Sequence, residues 1–421
     1  MGLVLILIYI SLNLLSPGDV FPGLAPYRPL LVLAILSLPT ALVARLQAPE
    51  LGKLRAQLLL VTLFFGFAIC SWLPHGWLGG GLVTVAYLGP NVLMYFLGVT
   101  LLRSPFRLQL VKIALLLVAI FVMSNGLMEL AFVKSTGLDT PYVMAGHAEL
   151  AEQPRIRGLG MLGDPNVFGQ YLLMIMPMLF VTRKDTSAVI RYVVAVPTTI
   201  LLLVGVYWTG SRGAEMGVAV LLGLHFSRRF KTAGAVISAG FGTILLLAVN
   251  ALRTRRITMS GGMDRLAIWS DGLQYFKHSP IYGIGAHGYT ENSIMTAHNT
   301  FLLCAAELGM VGYFLWMSMI VVTFVQLSRV PKVIGESNPS MARWAEAMRL
   351  SLGVYMFTSF FLSRAYELPL FLLLGMSGAV IATAGGDEAI PLRGTMWPLW
   401  SFGLCVGILI LIYVLLRLRA V

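Results

Sequence analysis

Thirteen apolar runs, most of them long enough to cross a bilayer, constrain this chain more than any other feature. They fall at 2–16, 29–46, 56–73, 82–102, 108–132, 165–182, 188–208, 212–227, 232–250, 297–326, 347–363, 367–384 and 396–416. A hydrocarbon core takes ~20 helical residues, and a helix satisfies its own backbone polar groups there. Of 421 residues, 58% are apolar and 11% charged, against roughly a quarter charged in soluble domains. Mean hydropathy is +0.84. No polar stretch is long enough to fold as a separate soluble domain. The expectation is therefore an all-α, polytopic integral membrane protein, read as one domain over 1–421, with about twelve membrane helices and thirteen possible.

The polar remainder carries orientation. Lysine and arginine outnumber aspartate and glutamate by 30 to 18, a net charge of +12. In a membrane protein such an excess points to cytoplasmic loops rather than to nucleic acid. Arg45/Lys53/Arg55, Arg103/Arg107/Lys112, Arg183/Lys184/Arg191 and Arg228/Arg229/Lys231 form basic loops on alternate turns. The opposite face then carries 73–81, the 133–164 segment, the 209–212 turn and the large 251–296 loop. Thirteen spans would put Arg417 and Arg419 on that outer face. A single broken crossing over 347–384, around Ser363–Arg364–Ala365, gives twelve and a cytoplasmic tail, and is the preferred count. The N-terminal MGLVLILIYISLNLL lacks a basic leader and a small-residue cleavage site and reads as a retained first helix. Cys70, Cys304 and Cys405 lie in apolar runs and suggest buried small side chains, not disulfides.

Three short polar islands stand out on the outer face: GSRG (210–213), DRLAIW (264–269) and AHNTFL (297–302). They hold Arg212, Arg265 and His298. A guanidinium beside lipid is costly and marks a working polar site. Ser211 is placed to cap a helix starting at Arg212, so that a guanidinium meets free helix N–H groups, a good phosphate site. The spacing of Leu266, Ile268/Trp269, Leu273 and Tyr275/Phe276 suits an amphipathic surface helix over 264–277. On spacing alone, Arg265 fits a snorkelling interfacial arginine equally well. Thr296 reads as the N-cap of the helix after it, with His298 at the helix mouth and Asn299 beside it. A lone histidine there also fits a polar cap. Glu307 is half a turn out of phase with His298 and reads as a buried polar group bonded to a neighbouring helix.

Upstream, RIRGLGMLGDPNVFGQY (155–171) sets Arg155, Arg157, Asp164 and Asn166 before a span. Asp-Pro-Asn is a turn-and-cap signal, although its carboxylate could orient an arginine. GIGAHG (283–288) matches GxGxxG without a strand-to-helix setting, so its glycines read as a tight turn, not a dinucleotide loop. Five of six histidines fall on the outer side, but none forms an HxH or HxxxH pair, so the sequence implies no metal.

In order and spacing, TGSRG, R-x-x-x-W with HSPIYGIGAHGY, and AHNTFLLCAAELGMVGYF resemble the O-antigen ligase and polymerase superfamily of bacterial inner membranes. The resemblance is strongest over 155–320; the first 130 residues and the last 80 match in hydropathy alone. It implies a cofactor-free, metal-independent GT-C-type glycosyltransferase of lipopolysaccharide biosynthesis at the periplasmic face of the inner membrane. The donor it implies is an undecaprenyl-pyrophosphate-linked glycan. The family's arginines match Arg212 and Arg265 and its histidine matches His298; chemistry suits the arginines to the pyrophosphate and His298 to the role of base, and Arg155, Arg157, Asp164, Asn166 and Asn299 are further candidate substrate contacts. A lipid A-core acceptor, and hence a ligase, is preferred over a polymerase or a protein O-glycan ligase. A lipid-glycan flippase or transporter is the reading from another class; its polar or broken helices would lie near the midplane. Oligomeric state is not legible.

Overall fold

The computed structural model describes residues 2–16, 18, 23, 29–46, 52–146, 153–181, 188–225, 260–293 and 295–418. They form helices α1 (Gly2–Leu15), α2 (Pro29–Leu46), α3 (Arg55–Cys70), α4 (Leu78–Leu101), α5 (Pro105–Thr136), α6 (Pro165–Leu179), α7 (Ala188–Thr209) and α8 (212–225). After them come α9 (Ser260–His278), the short α10 (Tyr289–Asn292), α11 (Thr300–Ile334), α12 (Pro339–Ser359), α13 (Leu368–Thr383), the short α14 (Gly386–Ala389) and α15 (Trp397–Arg417). Six described helices are long and apolar enough to cross a membrane: α3 with the turn after it, α4, α5, 192–209 within α7, α11 and α15. α1 and α13 are apolar but shorter. The chain is an all-α, multi-pass membrane protein. The expected span at 232–250 and the basic loop Arg228/Arg229/Lys231 lie outside the described residues.

By contact the chain divides into two compact units, each discontinuous in sequence: 1–42 with 104–258 and 336–358, and 43–103 with 259–335 and 359–421. In the first, α6 is central, and every residue of it except Asn166 is buried. A helix apolar on all sides must be enclosed on all sides. Its few polar groups are stitched to neighbours: Gln170 Nε2 donates to Tyr355 O (3.0 Å) and Thr358 Oγ1 (2.9 Å) of α12. The Tyr171 hydroxyl donates to Leu115 O of α5 (2.6 Å), and Ser351 Oγ of α12 donates back to Met174 O (2.7 Å). Among apolar helices such bonds specify which helix faces meet.

α5 runs 32 residues, from Ser104 as N-cap with Pro105 behind it to a left-handed Gly137 (φ +69). At 1.5 Å per residue it is about 48 Å long, well beyond a ~30 Å hydrocarbon core. Part of the 133–164 segment packs on it as a two-stranded antiparallel pair, β1 (Val143–Met144) with β2 (Arg155–Ile156), Val143 opposite Ile156. Gly126 makes room: a Cβ there would lie 2.5 Å from Ile156 Cγ2.

In the second unit α4 and α13 pack so closely that a Cβ on Gly98 would sit 3.0 Å from Gly375 Cα. Small residues permit such approaches between membrane helices. Gln57 of α3 ties the centre together, donating to Thr323 Oγ1 of α11 (2.6 Å) and accepting from the Tyr95 hydroxyl (3.2 Å). Tyr87 donates to Glu367 before α13, and Thr383 at its end donates to Arg103 O, so α4 and α13 run parallel.

α15 runs antiparallel to α11. Arg329 of α11 donates to Pro391 O ahead of α15, and the Lys277 ammonium lies 5.9 Å from the Tyr413 ring near its far end. Arg417 therefore ends at the α9 side, away from Lys53, which pairs with Glu388 of α14. Residues 347–384 fall in two helices, α12 and α13, with the chain broken around Ser363–Arg364–Ala365 as the sequence predicts. Arg417 is held locally, its guanidinium 5.3 Å from the Tyr413 ring and its Nε 3.0 Å from the same hydroxyl.

Candidate functional site

In the first unit four of the singled-out residues meet around the start of α8. Gly210 turns the chain at φ +61, and Ser211 Oγ accepts from Ala214 N at 3.2 Å, the expected N-cap. Ser211 is buried while Arg212, the first residue of α8, is exposed. Arg155 braces this turn from β2: its Nε donates to Thr209 O (2.7 Å) and its Nη2 to Asn166 Oδ1 (2.9 Å). The start of α6 and the TGSRG turn are thus linked through one guanidinium. A Cβ on Gly169 would lie 2.8 Å from Ala214 Cβ, so α6 and α8 touch just beneath. Asp164 caps α6, accepting from Asn166 N at 2.6 Å, and Asn166 rather than the carboxylate engages Arg155. The turn-and-cap reading of Asp-Pro-Asn is therefore the one the local geometry carries. Arg157 points elsewhere, to Thr140 O (3.1 Å) and Asp139 Oδ2 (3.4 Å).

In the second unit α9 carries Arg265, whose side chain lies outside the described atoms. One turn on, Ile268, Trp269 and Leu273 are buried, the apolar face expected for an amphipathic helix. Gly272 lets that face close on α11; a Cβ there would sit 2.9 Å from Leu302 side-chain carbons. The Trp269 indole Nε1 donates to Ala297 O at 3.0 Å. His298, partly exposed, follows in the left-handed region at φ +46, an uncommon conformation for a residue with a Cβ. The cap of α11 is Asn299, not Thr296: its Oδ1 accepts from Phe301 N and Leu302 N, both at 3.0 Å. Asn299 is fully buried, and its Nδ2 has no partner among the described residues. Thr300 Oγ1 then donates to Leu362 O (2.6 Å) and accepts from Arg364 N (2.9 Å).

Beneath the histidine turn, α11 is interrupted at Gly309 (φ +61, ψ −168). The GIGAHG loop enters this break backbone to backbone. Ile284 N donates to Ala306 O, Gly285 N to Glu307 O, and Met310 N to Pro280 O. A Cβ on Gly283 would lie 2.2 Å from Glu307 C, and one on Gly309 2.3 Å from Ile281 C. The glycines are a tight turn, as expected, and also admit one backbone against another. Glu307 is buried, and its Oε1 accepts from Tyr289 N of α10 at 3.2 Å. It bonds a short neighbouring helix, as the sequence predicts. His287 (φ +66) has Tyr87 and Tyr366 around it at centroid distances of 3.8 and 5.0 Å. Burial lowers its pKa to about 4, so it is neutral near pH 7.

The structure thus gathers Arg155, Asp164, Asn166 and Arg212 in one unit and His298 and Asn299 beside the Arg265 helix in the other. Arg157 stands apart from the first group. Trp269, Tyr289, Glu307 and Gly309 support the second, and of these the sequence points to Trp269, on the apolar face of its helix, and to Glu307, as a buried polar group. Trp269 was legible as the tryptophan of R-x-x-x-W, but its acceptor 28 residues on was not.

Residues 197–317 match the family model described as O-antigen ligase. That segment contains all three polar islands. No match is found among the curated proteins. Over this segment the chain is similar to the O-antigen ligase family.

Proposed function

We propose that the chain transfers a finished glycan from undecaprenyl pyrophosphate to a lipid A-core acceptor at the periplasmic face of the inner membrane. The observation that carries this reading is the family match spanning Arg212, Arg265 and His298 together. The local geometry supports it. An exposed guanidinium at a capped helix N-terminus suits a phosphate group, since helix N–H dipoles and a planar fork act on the same charge. A partly exposed imidazole at a helix mouth suits proton transfer from an acceptor hydroxyl.

An acceptor hydroxyl attacks the anomeric carbon in line, the bond to the pyrophosphate oxygen breaks, and configuration inverts. His298 takes the hydroxyl proton. Arg212 and Arg265 hold the leaving undecaprenyl pyrophosphate by bidentate bonds, supplying charge stabilisation that a metal ion supplies elsewhere. Transfer therefore persists in excess EDTA. Activity that is lost with chelator and restored by magnesium overturns the two-arginine account.

A deletion strain tests the ligase reading. Lipopolysaccharide gels should show bare lipid A-core while long glycan accumulates on its polyprenyl carrier. Core capped by a single repeat, without long carrier-linked chains, identifies a polymerase instead. Unchanged core with carrier-linked glycan trapped on the cytoplasmic side identifies a flippase.

A further inference from the structure

We infer that Trp269 is a positioning residue that locks the helix carrying Arg265 to the turn carrying His298. The inference rests on the proposed function for its catalytic meaning, but the lock itself is a matter of geometry. Ala297 O belongs to the same planar peptide unit as His298 N, so pinning that oxygen sets the plane from which His298 departs. The pin is the single N–H of the Trp269 indole, at 3.0 Å. Both partners are buried, Ala297 at 0% and Trp269 at 8% exposure, so the bond is protected from water, and leaving it unmade is costly. Ala297 precedes α11 and its oxygen is outside the helical ladder, so the indole is its described donor.

A second bridge closes the frame. The Tyr289 hydroxyl donates to Ile268 O, the residue before Trp269, at 2.6 Å. The Tyr289 backbone N donates in turn to Glu307 of α11. Residues 268–269 are therefore held to α11 at two levels, directly at its mouth and through α10 one break deeper. Trp269 lies one helical turn after Arg265, so what fixes Trp269 fixes the Arg265 backbone. On the far side of the histidine turn, Thr300 joins Leu362 and Arg364. The bare alternative is that the indole only fills space, edge-on to Phe360 at 5.7 Å.

Phenylalanine keeps a ring and removes the N–H, so Trp269→Phe separates the two roles. The assay is full-length protein in detergent with an undecaprenyl-pyrophosphate-linked glycan and purified lipid A-core. In Trp269→Phe, kcat should fall at least about tenfold, as expected for a misplaced reacting group. The donor KM should stay within about twofold, with the acid limb of the pH–rate profile displaced. Tyr289→Phe should act in the same direction, and the double variant should lose less than the product of the two, because both bridges serve one frame. A loss confined to thermal stability, or kcat and donor KM falling together with an unmoved pH profile, means a packing role and overturns the inference. A readout independent of transfer uses Thr296→Cys in a background lacking Cys70, Cys304 and Cys405. Trp269→Phe should raise its rate of reaction with a soluble maleimide, and an unchanged rate overturns the lock. If the wild type transfers no glycan to lipid A-core while the labelling rate still responds, the lock stands and the ligase reading falls.

Discussion

Around His298 the neighbouring residues divide the work by chemistry: Asn299 caps a helix, Thr300 ties a loop, and His298 itself retains partial exposure. Their substitutions should separate accordingly. Asn299→Ala removes the two-amide cap of α11 and should cost about 1–2 kcal/mol of stability, read as a lowered unfolding temperature in detergent. His298→Ala should leave that temperature nearly unchanged while transfer falls by roughly 10²–10⁴ and donor binding persists. Abolished donor binding with residual chemistry instead makes His298 a phosphate ligand. Arg212→Lys keeps the charge but loses the planar fork. A drop of roughly 10²–10³ in rate, about 2–4 kcal/mol, is expected in a single-turnover assay. Arg155→Ala acts differently: by releasing Thr209 and Asn166 it should loosen the TGSRG turn and lower both stability and turnover.

At the scale of elements, the break in α11 is the least replaceable feature. Gly309 combines a left-handed φ with a backbone neighbour where a Cβ would go, and Gly283 mirrors it from the loop side. Gly309→Ala should prevent the GIGAHG loop from seating and deplete folded protein in a fluorescence size-exclusion profile. Gly66→Ala in α3, where nothing lies within 4 Å, should leave the profile unchanged. Equal tolerance of both would mean that the break is incidental. The same loop carries a pH signature through His287, whose folded pKa of about 4 lies below the ordinary 6.5. A depressed histidine contributes stability above its unfolded pKa and loses it as pH falls toward 4. His287→Gln should therefore flatten the loss of stability between about pH 6.5 and 4, measured by thermal unfolding across that range.

For the whole molecule, orientation is the decisive quantity. The proposed function requires Ser270 and Thr296 to face the periplasm, and α15 ends on the α9 side of its unit. A cysteine at Leu418 should therefore react with an impermeant thiol reagent in outer-membrane-permeabilised cells, as should one at Ser270. A cysteine at Glu388, beside Lys53, should react only after the inner membrane is opened. Labelling of Leu418 together with Glu388 would restore a cytoplasmic tail, and labelling of Ser270 only after lysis would remove the active-site assignment from the periplasmic face.

The placement of most long described helices was legible from the sequence, because each apolar run must form its own hydrogen bonds in lipid and its ends coincide with charge, proline or glycine. Asp164 before Pro165 announced its helix by local chemistry alone. The three islands were legible as well, since polar residues stand out against an apolar background. What needed tertiary structure were pairings between residues far apart in the chain: Trp269 with Ala297, Arg155 with Thr209, the GIGAHG loop with the interrupted turn at Gly309. The direction of α15 also depended on it, because a rule about charge in loops carries no information on a cation held by a nearby ring. Hydropathy is a property of one segment at a time. A hydrogen bond between segments depends on both, and only the packed chain brings the second to the first.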